Sequence, residues 1–171
     1  MQETFTLNIF NVKMVVENLK LNLLQKDKKK LESQCKNKPK LRVYNQIANF
    51  SDKKIYLSKP LSFIQRKAIA KLRLGVLPIR IETGRYERPK RSALERTCKQ
   101  CDLNVPENEI HFLLHCPKHV HIRQLFSQKI ILEDFFNLND VDKLKYLVNH
   151  PEIVKSTTQF IINCFDNRVI E

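Results

Sequence analysis

One group of four residues restricts the fold of this chain more than any other feature. Cys98 and Cys101 are separated by two residues, His111 follows after nine more, and Cys116 after a further four. Two thiols at the first spacing can lie on one tight turn and bind the same metal ion, and two more ligands complete the tetrahedron of structural Zn²⁺. Because four protein ligands leave no open position, the pattern predicts one structural zinc ion rather than a catalytic one.

The second half of this group predicts a short helix. It runs from Glu107 to His115 and carries His111. Pro117 disfavours the α conformation at Cys116, so the chain can bend there and return the last thiol to the metal. The apolar side of this helix is expected to consist of Ile110, Leu113 and Leu114.

Other histidines and other uses of the thiols compete with this interpretation. His115 is the nearest rival of His111, but it sits beside Cys116 and points to the other side of the helix. His119 and His121 rank lower. A redox Cys-x-x-Cys would need a strand–helix setting that this sequence lacks, and buried thiols without a metal are the remaining alternative.

Composition and apolar spacing predict a mainly α-helical fold with little or no sheet around this zinc group. The chain has 171 residues, 42% of them hydrophobic, which is enough for a core, and only two glycines, which argues against an α/β fold with phosphate loops. We expect an intracellular protein because the sequence has neither an 18-residue apolar run nor a secretory signal. Between the intracellular compartments, the nucleus is favoured over the cytoplasm. Cys35 and Cys164 are expected to be reduced, buried thiols.

Four segments follow from the pattern along the chain. They are an N-terminal helical segment (1–57), a basic helix with a Gly/Pro/Arg loop (58–97), the zinc knuckle (98–117) and a helical tail (118–171). Within the first segment, the apolar spacing predicts one or two helices over 5–34, and a break at Pro39, a shorter helix and a turn at 49–52 are expected after them.

The strongest helix prediction is the stretch from Ser58 to Leu74. Ser58 is placed to cap it and Gly75 to stop it. In the tail, Asn139 is expected to cap a helix ending near Asn149, and Pro151 to open the last helix. The expected apolar stripes are Leu61, Ile64, Ala68 and Leu72; Val120, Leu125, Phe126 and Ile130; Leu144, Leu147 and Val148; and Val154, Thr157, Phe160, Ile161, Cys164 and Phe165.

The charge is unevenly distributed and points to a polyanionic partner. Residues 1–50 carry ten Lys/Arg and four Asp/Glu, residues 51–100 fourteen and four, and residues 101–171 seven and ten. Such asymmetry is typical of a surface that meets nucleic acid, RNA or DNA, through its phosphates. The lysine run at 26–30 has two interpretations: cations favoured near a helix C-terminus, or a phosphate contact or nuclear-import signal.

The predicted nucleic-acid contacts lie on one face of the basic helix and in the loop after it. Cations recurring along a helix can follow phosphates, and an aromatic ring beside arginines can stack on a base. Solvated helix faces and ion pairs such as Arg85 with Glu82 are the alternative, and Gly84 either requires positive φ or lets a partner approach. The candidate residues are Lys59, Arg66, Lys67, Lys71, Arg73, Arg80, Arg85, Tyr86, Arg88, Lys90, Arg91 and Arg96.

Several of these stretches together resemble a known family. They are KLRLGVLPI at 71–79, ETGRY at 82–86, RTCKQC at 96–101 and ENEIHFLLHCP at 107–117, with KPKLRVY at 38–44 and DKLKYL at 142–147 on either side. The pattern resembles the region after the polymerase core in non-LTR (LINE-type) retrotransposon reverse transcriptases, which ends in a CCHC zinc knuckle. The resemblance covers about residues 36–168 and implies binding of the element's RNA and target DNA, with a reverse-transcriptase polypeptide as a further partner. His119 stands where that family often has Tyr or a similar residue, and the polymerase itself is missing.

We expect no catalysis by this chain alone. Polymerase chemistry needs paired carboxylates that hold two Mg²⁺ ions, and the sequence has no Asp-Asp dipeptide. The Glu133–Asp134 and Asp140/Asp142 pairs precede helical stretches, where acidic residues are favoured by the helix dipole. No phosphate-binding loop or nucleophile elbow occurs. The competing function is a zinc-stabilised helical adaptor whose basic face binds an acidic protein partner.

Overall fold

The computed structural model describes residues 9–36, 38–48 and 55–168, and it is mainly helical, as the sequence predicts. The only β pairing within these ranges is an isolated antiparallel bridge between Thr97 and Pro106. The predicted turn at 49–52 lies outside the described residues. The helices are α1 (Ile9–Lys36), α2 (Arg42–Ile47), α3 (Ile55–Ser58), α4 (Phe63–Leu74), α5 (Arg80–Thr83), α6 (Val120–Ser127), α7 (Asp140–Asn149) and α8 (Val154–Asp166), with a π turn at His111–His115 and 3₁₀ turns at Pro39–Leu41, Pro117–His119 and Glu133–Asn137.

The core is formed where α4 and α8 pack together, with α2, α6 and α7 around them. The rings of Phe126 and Phe160 stack with their centroids 4.5 Å apart, which joins α6 to α8. Phe112 and Leu113 from the π turn are fully buried in the same cluster, so the segment that carries the predicted ligands His111 and Cys116 is part of the core. Its other fully buried members include Ile69, Leu72, Leu77, Ile79, Leu144, Leu147, Val148, Val154, Ile161 and Cys164.

The first helix projects away from this core. α1 has 28 residues, which at 1.5 Å per residue gives a length of roughly 42 Å. The side chains of residues 11–27 are exposed, and burial begins only near its C-terminal end, where Cys35 is buried and its carbonyl accepts a hydrogen bond from Asn45 Nδ2 at 2.9 Å. The exposed apolar side chains of α1 are Val12, Met14, Val15, Val16, Leu19, Leu21, Leu23, Leu24 and Leu31.

The basic helix begins later than the sequence predicts. Ser58 ends α3, and the cap of α4 is Ser62. Ser62 Oγ accepts a hydrogen bond from the Gln65 backbone N–H at 3.3 Å, and Gln65 Oε1 accepts one from the Ser62 N–H at 3.0 Å. This reciprocal capping box satisfies two N–H groups at the helix start, which Ser58 cannot do. Gly75 stops the helix as predicted, with φ of +67°.

The buried stripe of α4 also differs from the prediction. Leu61 and Leu72 are buried and Ala68 is half-buried, as expected, but Ile64 is 63% exposed. Ile69, which was not predicted, is fully buried. Because the helix begins at residue 63, Ile64 lies in its first turn, beyond the edge of the core.

The tail follows the predicted helices with two corrections. The Asn139 side chain caps α7 by accepting a hydrogen bond from the Asp142 N–H at 2.9 Å. The last helix begins at Val154 instead of Pro151, because Pro151 and Glu152 form a turn that places Ile153 in the core. Of its expected core residues, Phe165 is half-buried and the others are buried. On α6 and the turn after it, Phe126 is buried and Ile130 half-buried, but Val120 and Leu125 are exposed.

Candidate metal centre and basic surface

The four predicted ligands come together in one cluster. Each of Cys98, Cys101, His111 and Cys116 offers one ligand atom, and these atoms all lie within 4.8 Å of one another. The Sγ atoms of Cys98 and Cys116 are 3.9 Å apart, and Sγ of Cys101 is 3.5 Å from Nε2 of His111. A tetrahedral ion with bonds of about 2.3 Å to sulfur and about 2.0 Å to nitrogen places its ligand atoms about 3.5–3.8 Å apart. The cluster can therefore hold a single metal ion.

The first two ligands lie at the end of a short paired loop. The Cys98 N–H donates to the Val105 carbonyl at 2.9 Å, and the Glu107 N–H donates to the Arg96 carbonyl at 3.0 Å. The Gln100 N–H points at Cys98 Sγ from 3.4 Å. A backbone donor in this position favours the thiolate form of cysteine, which is the form that binds metals.

The other two ligands lie on the helical segment, which starts and ends differently from the prediction. It begins at Glu109 rather than Glu107, because the Asn108 side chain accepts a hydrogen bond from the His111 N–H at 2.8 Å and caps it. At its end the Cys116 N–H donates to the His111 carbonyl at 2.7 Å. This bond spans five residues, one more than in an α-helix, and such widened turns are frequent at functional sites.

The competing histidines lie elsewhere. His115 is about half-exposed, with its Nε2 2.8 Å from Asp140 Oδ2. His119 is buried but outside the cluster, and His121 is exposed on α6. His111 is therefore the histidine of the cluster, as favoured by the sequence.

Burial sets the protonation of the cluster. Loss of solvent raises the pKa of the Cys98 and Cys116 thiols, and the nearby Glu107 carboxylate raises that of Cys98 further. Burial also lowers the pKa of His111, which keeps its imidazole neutral. A bound cation reverses the preference of the thiols, so metal binding releases thiol protons while the imidazole is already in its ligating form.

A buried carboxylate connects the cluster to the end of α8. Glu107 is fully buried and accepts hydrogen bonds from Arg168 Nη1 at 2.8 Å and Nη2 at 3.3 Å, and from the Arg80 N–H at 2.7 Å. Its Oε1 lies 3.7 Å from Cys98 Sγ. A thiolate at Cys98 would repel this carboxylate, and the Arg168 guanidinium offsets that repulsion because it lies against both carboxylate oxygens.

A second buried carboxylate connects the cluster to α2. Glu109 is 2% exposed and accepts two hydrogen bonds from the Arg42 guanidinium, at 2.6 and 2.8 Å. On the other side, Arg123 donates to the carbonyls of Leu113 at 3.1 Å and Cys116 at 3.0 Å. The sequence alone indicates no structural role for Glu109, Arg42 or Arg123. The one sequence signal for such a role is the spacing of Glu107, Glu109 and His111 at every second position.

Three predicted nucleic-acid contacts are used inside the protein. Arg73 is 3% exposed and donates to the Val148 carbonyl at 3.3 Å and to Asn149 Oδ1 at 2.8 Å. It is therefore not available on the surface, and the prediction that Arg73 belongs to the exposed cations along one face of the basic helix was wrong. Arg80 and Arg96 are half-buried: Arg80 pairs with Glu87, and Arg96 donates to the carbonyls of Ile81 and Arg91.

The remaining candidates divide by exposure. Arg85 pairs with Glu82 at 3.1 Å, as the alternative interpretation proposed. Gly84 is buried with φ of −65°, and an added Cβ would meet the Arg80 carbonyl oxygen at 2.8 Å. It serves internal packing and not the approach of a partner. Lys59 and Lys71 are half-buried; the exposed candidates are Arg66, Lys67, Tyr86, Arg88, Lys90 and Arg91.

Among the described helices, none is both long enough and apolar enough to cross a membrane. A scan against protein-family models, a search of curated proteins and a search of solved structures each find no match to this chain.

Proposed function

We propose that this chain is a non-catalytic nucleic-acid-binding module whose fold is stabilised by one structural zinc ion. The observation that carries the proposal is the division of its cations. Those that stabilise the fold are buried or paired, while Arg66, Lys67, Arg88 and Lys90 remain exposed in the basic half of the chain. Neither Arg88 nor Lys90 makes an ion pair or hydrogen bond within the described part of the chain.

Zinc is the metal that suits this ligand set. Three thiolates and one imidazole are soft and borderline ligands, and Zn²⁺ takes them in closed tetrahedral sites. The short spacing between Cys98 and Cys101 and the short distances across the cluster fit such a site. The ion would fix the paired loop of the first two ligands against the helical segment of the other two, and it would do no chemistry itself.

Nucleic acid is the partner class that the charge favours. The chain carries a formal charge of +13, while its last 71 residues are net acidic, so the positive excess lies within the first 100 residues. Phosphate contacts by exposed lysine and arginine side chains supply most sequence-independent binding. The resemblance to the region after the polymerase core of non-LTR reverse transcriptases supports the same partners, RNA and target DNA, and a nuclear site of action.

The test combines metal content with binding. Protein purified without added zinc is analysed by mass spectrometry, and its affinity for a structured RNA is measured by filter binding at 50 to 300 mM salt. We expect one zinc per chain and binding that weakens steeply with salt. Zinc without binding at the lowest salt would exclude the nucleic-acid function, and absence of zinc would exclude the structural metal.

A charge-reversal pair locates the surface. The variant Arg88→Glu/Lys90→Glu removes two exposed cations, and Lys129→Glu/Lys155→Glu makes the same change in net charge on the acidic tail. If Arg88 and Lys90 each contact a phosphate, the slope of log affinity against log salt should become shallower by about 1.5. The control should shift the slope much less. Equal effects would show that net charge, and not this loop, determines binding.

One feature of the structure, a cleft between two helices, favours the adaptor function. A cleft of about 220 Å³ lies between α4 and α8, with apolar walls that include Ile64 and Phe165, and with two cations, Lys67 and Lys71, and one carboxylate, Asp166, at its side. An acidic peptide with an apolar anchor fits such a cleft. Competition of an acidic leucine-rich peptide against RNA separates the two functions, because only the adaptor function predicts that the peptide binds tightly at 150 mM salt.

A further inference from the structure

Two aromatic side chains stand out from the basic half of the chain. Phe63 is 78% exposed and Tyr86 is 74% exposed. Large aromatic rings are normally among the side chains that give most to a core. Their exposure therefore suggests that these rings serve as contact surfaces.

Two cations follow Phe63 on the surface of α4. It is the first residue of the helix, so Arg66 and Lys67 follow at the three- and four-residue spacings that place side chains next to one another. Both are exposed. The Arg66 Nε donates to the Leu61 carbonyl at 3.0 Å, which holds the guanidinium close to the start of the helix.

Tyr86 has a similar setting in the loop after α5. Its N–H donates to the Thr83 carbonyl at 3.2 Å, which fixes the backbone while the ring stays in solvent. Exposed Arg88 and Lys90 follow within four residues. Nearby Glu87 is occupied by Arg80 and Arg91, so its charge is neutralised within the protein.

We infer that this module prefers single-stranded over duplex nucleic acid, stacking unpaired bases on Phe63 and Tyr86 while the neighbouring cations hold the phosphates. Base faces are covered by neighbouring bases in a duplex and are free only in unpaired strands. An exposed ring next to cations offers a stacking surface and a phosphate contact together, as in single-strand-binding proteins. This inference rests on the proposed nucleic-acid function and narrows its substrate class.

The chain contains one control that serves for both rings. Phe136 is also exposed, at 64%, but it lies in the acidic tail, close in sequence to Glu133 and Asp134. It has no exposed cation within four residues on either side in the sequence, and the two cations that line a pocket with it, Arg123 and Lys143, are half-buried. Phe136→Ala therefore removes an exposed aromatic ring without removing a base platform.

The test measures fluorescence anisotropy with three probes at 100 mM salt: a 20-nucleotide oligo-dT, a 20-nucleotide oligo-U and a 20-base-pair DNA duplex. We expect at least tenfold tighter binding to the single strands. Phe63→Ala and Tyr86→Ala should each weaken single-strand binding five- to hundredfold, since stacking on one ring is lost, and should leave duplex binding within twofold. Tyr86→Phe, which keeps a ring, and Phe136→Ala should bind like wild type.

The outcomes separate this inference from the proposed function. Salt-dependent binding with equal affinity for single strands and duplex, or with no effect of Phe63→Ala and Tyr86→Ala, would overturn the stacking inference and leave the nucleic-acid function standing. No binding to any of the three probes at low salt would overturn both. Circular dichroism and zinc content of each variant check that its fold is intact.

Discussion

Replacing Glu107 by glutamine is expected to lower the free energy of unfolding by about 3 kcal/mol. The wild-type carboxylate is fully buried and receives two hydrogen bonds from Arg168 and one from the Arg80 N–H. Glutamine keeps an oxygen for the Arg80 N–H, but its NH₂ group faces the donors of Arg168. Removing one partner of a buried ion pair costs about 3–5 kcal/mol. The lower end applies because Arg168, with its side chain 16% exposed, can turn towards water.

Urea unfolding at pH 7 with one equivalent of zinc measures this change. The chain has no tryptophan and four tyrosines, so tyrosine fluorescence is a suitable probe. A loss of 3 kcal/mol corresponds to a decrease of about 6–12 °C in the melting temperature for a protein of this size. Glu152→Gln is the control: Glu152 is exposed, and surface substitutions usually change stability by less than about 0.5 kcal/mol.

A double-mutant cycle with Arg168→Gln tests the cause. If the pair acts as a unit, the double variant should be only slightly less stable than either single variant, with a coupling energy of about 2 kcal/mol or more. Additive effects, or a Glu107→Gln variant within 0.5 kcal/mol of wild type, would refute the idea that this buried pair joins the metal-binding segment to α8.

Three further predictions concern the metal, pH and the backbone. Cys98→Ser should lose the bound metal and unfold at a lower urea concentration, since metal binding and local folding are one process. His115→Ala should keep one metal ion per chain, as measured by mass spectrometry. Loss of the metal from His115→Ala, with the metal kept by Cys98→Ser, would refute the ligand assignment. Burial lowers the pKa of His119 from its ordinary 6.5 to about 4, so the unfolded chain binds a proton below pH 6.5 that the folded chain does not. The free energy of unfolding therefore falls as the pH is lowered from 6.5 towards 4, by about 2 kcal/mol at pH 5. His119→Phe should lose about 2 kcal/mol less than wild type between pH 7 and pH 5, provided that the two proteins hold the same amount of metal at each pH. If the plots of unfolding free energy against pH run parallel for the two proteins, this assignment is contradicted. Gly75→Ala should cost about 1–2 kcal/mol in urea unfolding because φ is +67°, and the added Cβ would also lie 3.0 Å from Val43 Cγ2. An unchanged free energy of unfolding would argue against a left-handed stop at this position.

The sequence predicts the metal cluster well because its ligands are local. Four residues within a span of 19 determine the site, and the π turn needs only the backbone bond from Cys116 to His111 to complete it. Asn139 and Gly75 were also predicted correctly, since a helix cap and a helix stop depend on the residue itself and its immediate neighbours.

The failures involve partners that are distant in sequence or two local signals in competition. Arg73 is buried because Val148 and Asn149, more than 70 positions away, offer it oxygen acceptors. No periodicity in α4 contains that information. Ser58 and Ser62 each resemble a helix cap, and the second is used because Gln65 completes a capping box with it. The role of Glu107 cannot be predicted from the sequence either, because glutamate is usually a surface residue and its partner, Arg168, is 61 positions away.

The projecting α1 and the helical core should exchange their amide hydrogens at very different rates. Along residues 11–27 the side chains are exposed, so the hydrogen bonds of that part of the helix are stabilised mainly by the helix itself. Solvated helical residues gain little from tertiary packing, so such a helix frays from the end that lies away from the core. Its amides should exchange through local opening, while those beneath Leu72, Leu147 and Ile161 exchange only through larger unfolding. Far-ultraviolet circular dichroism would therefore show a gradual loss of α1 signal before the cooperative transition of the core.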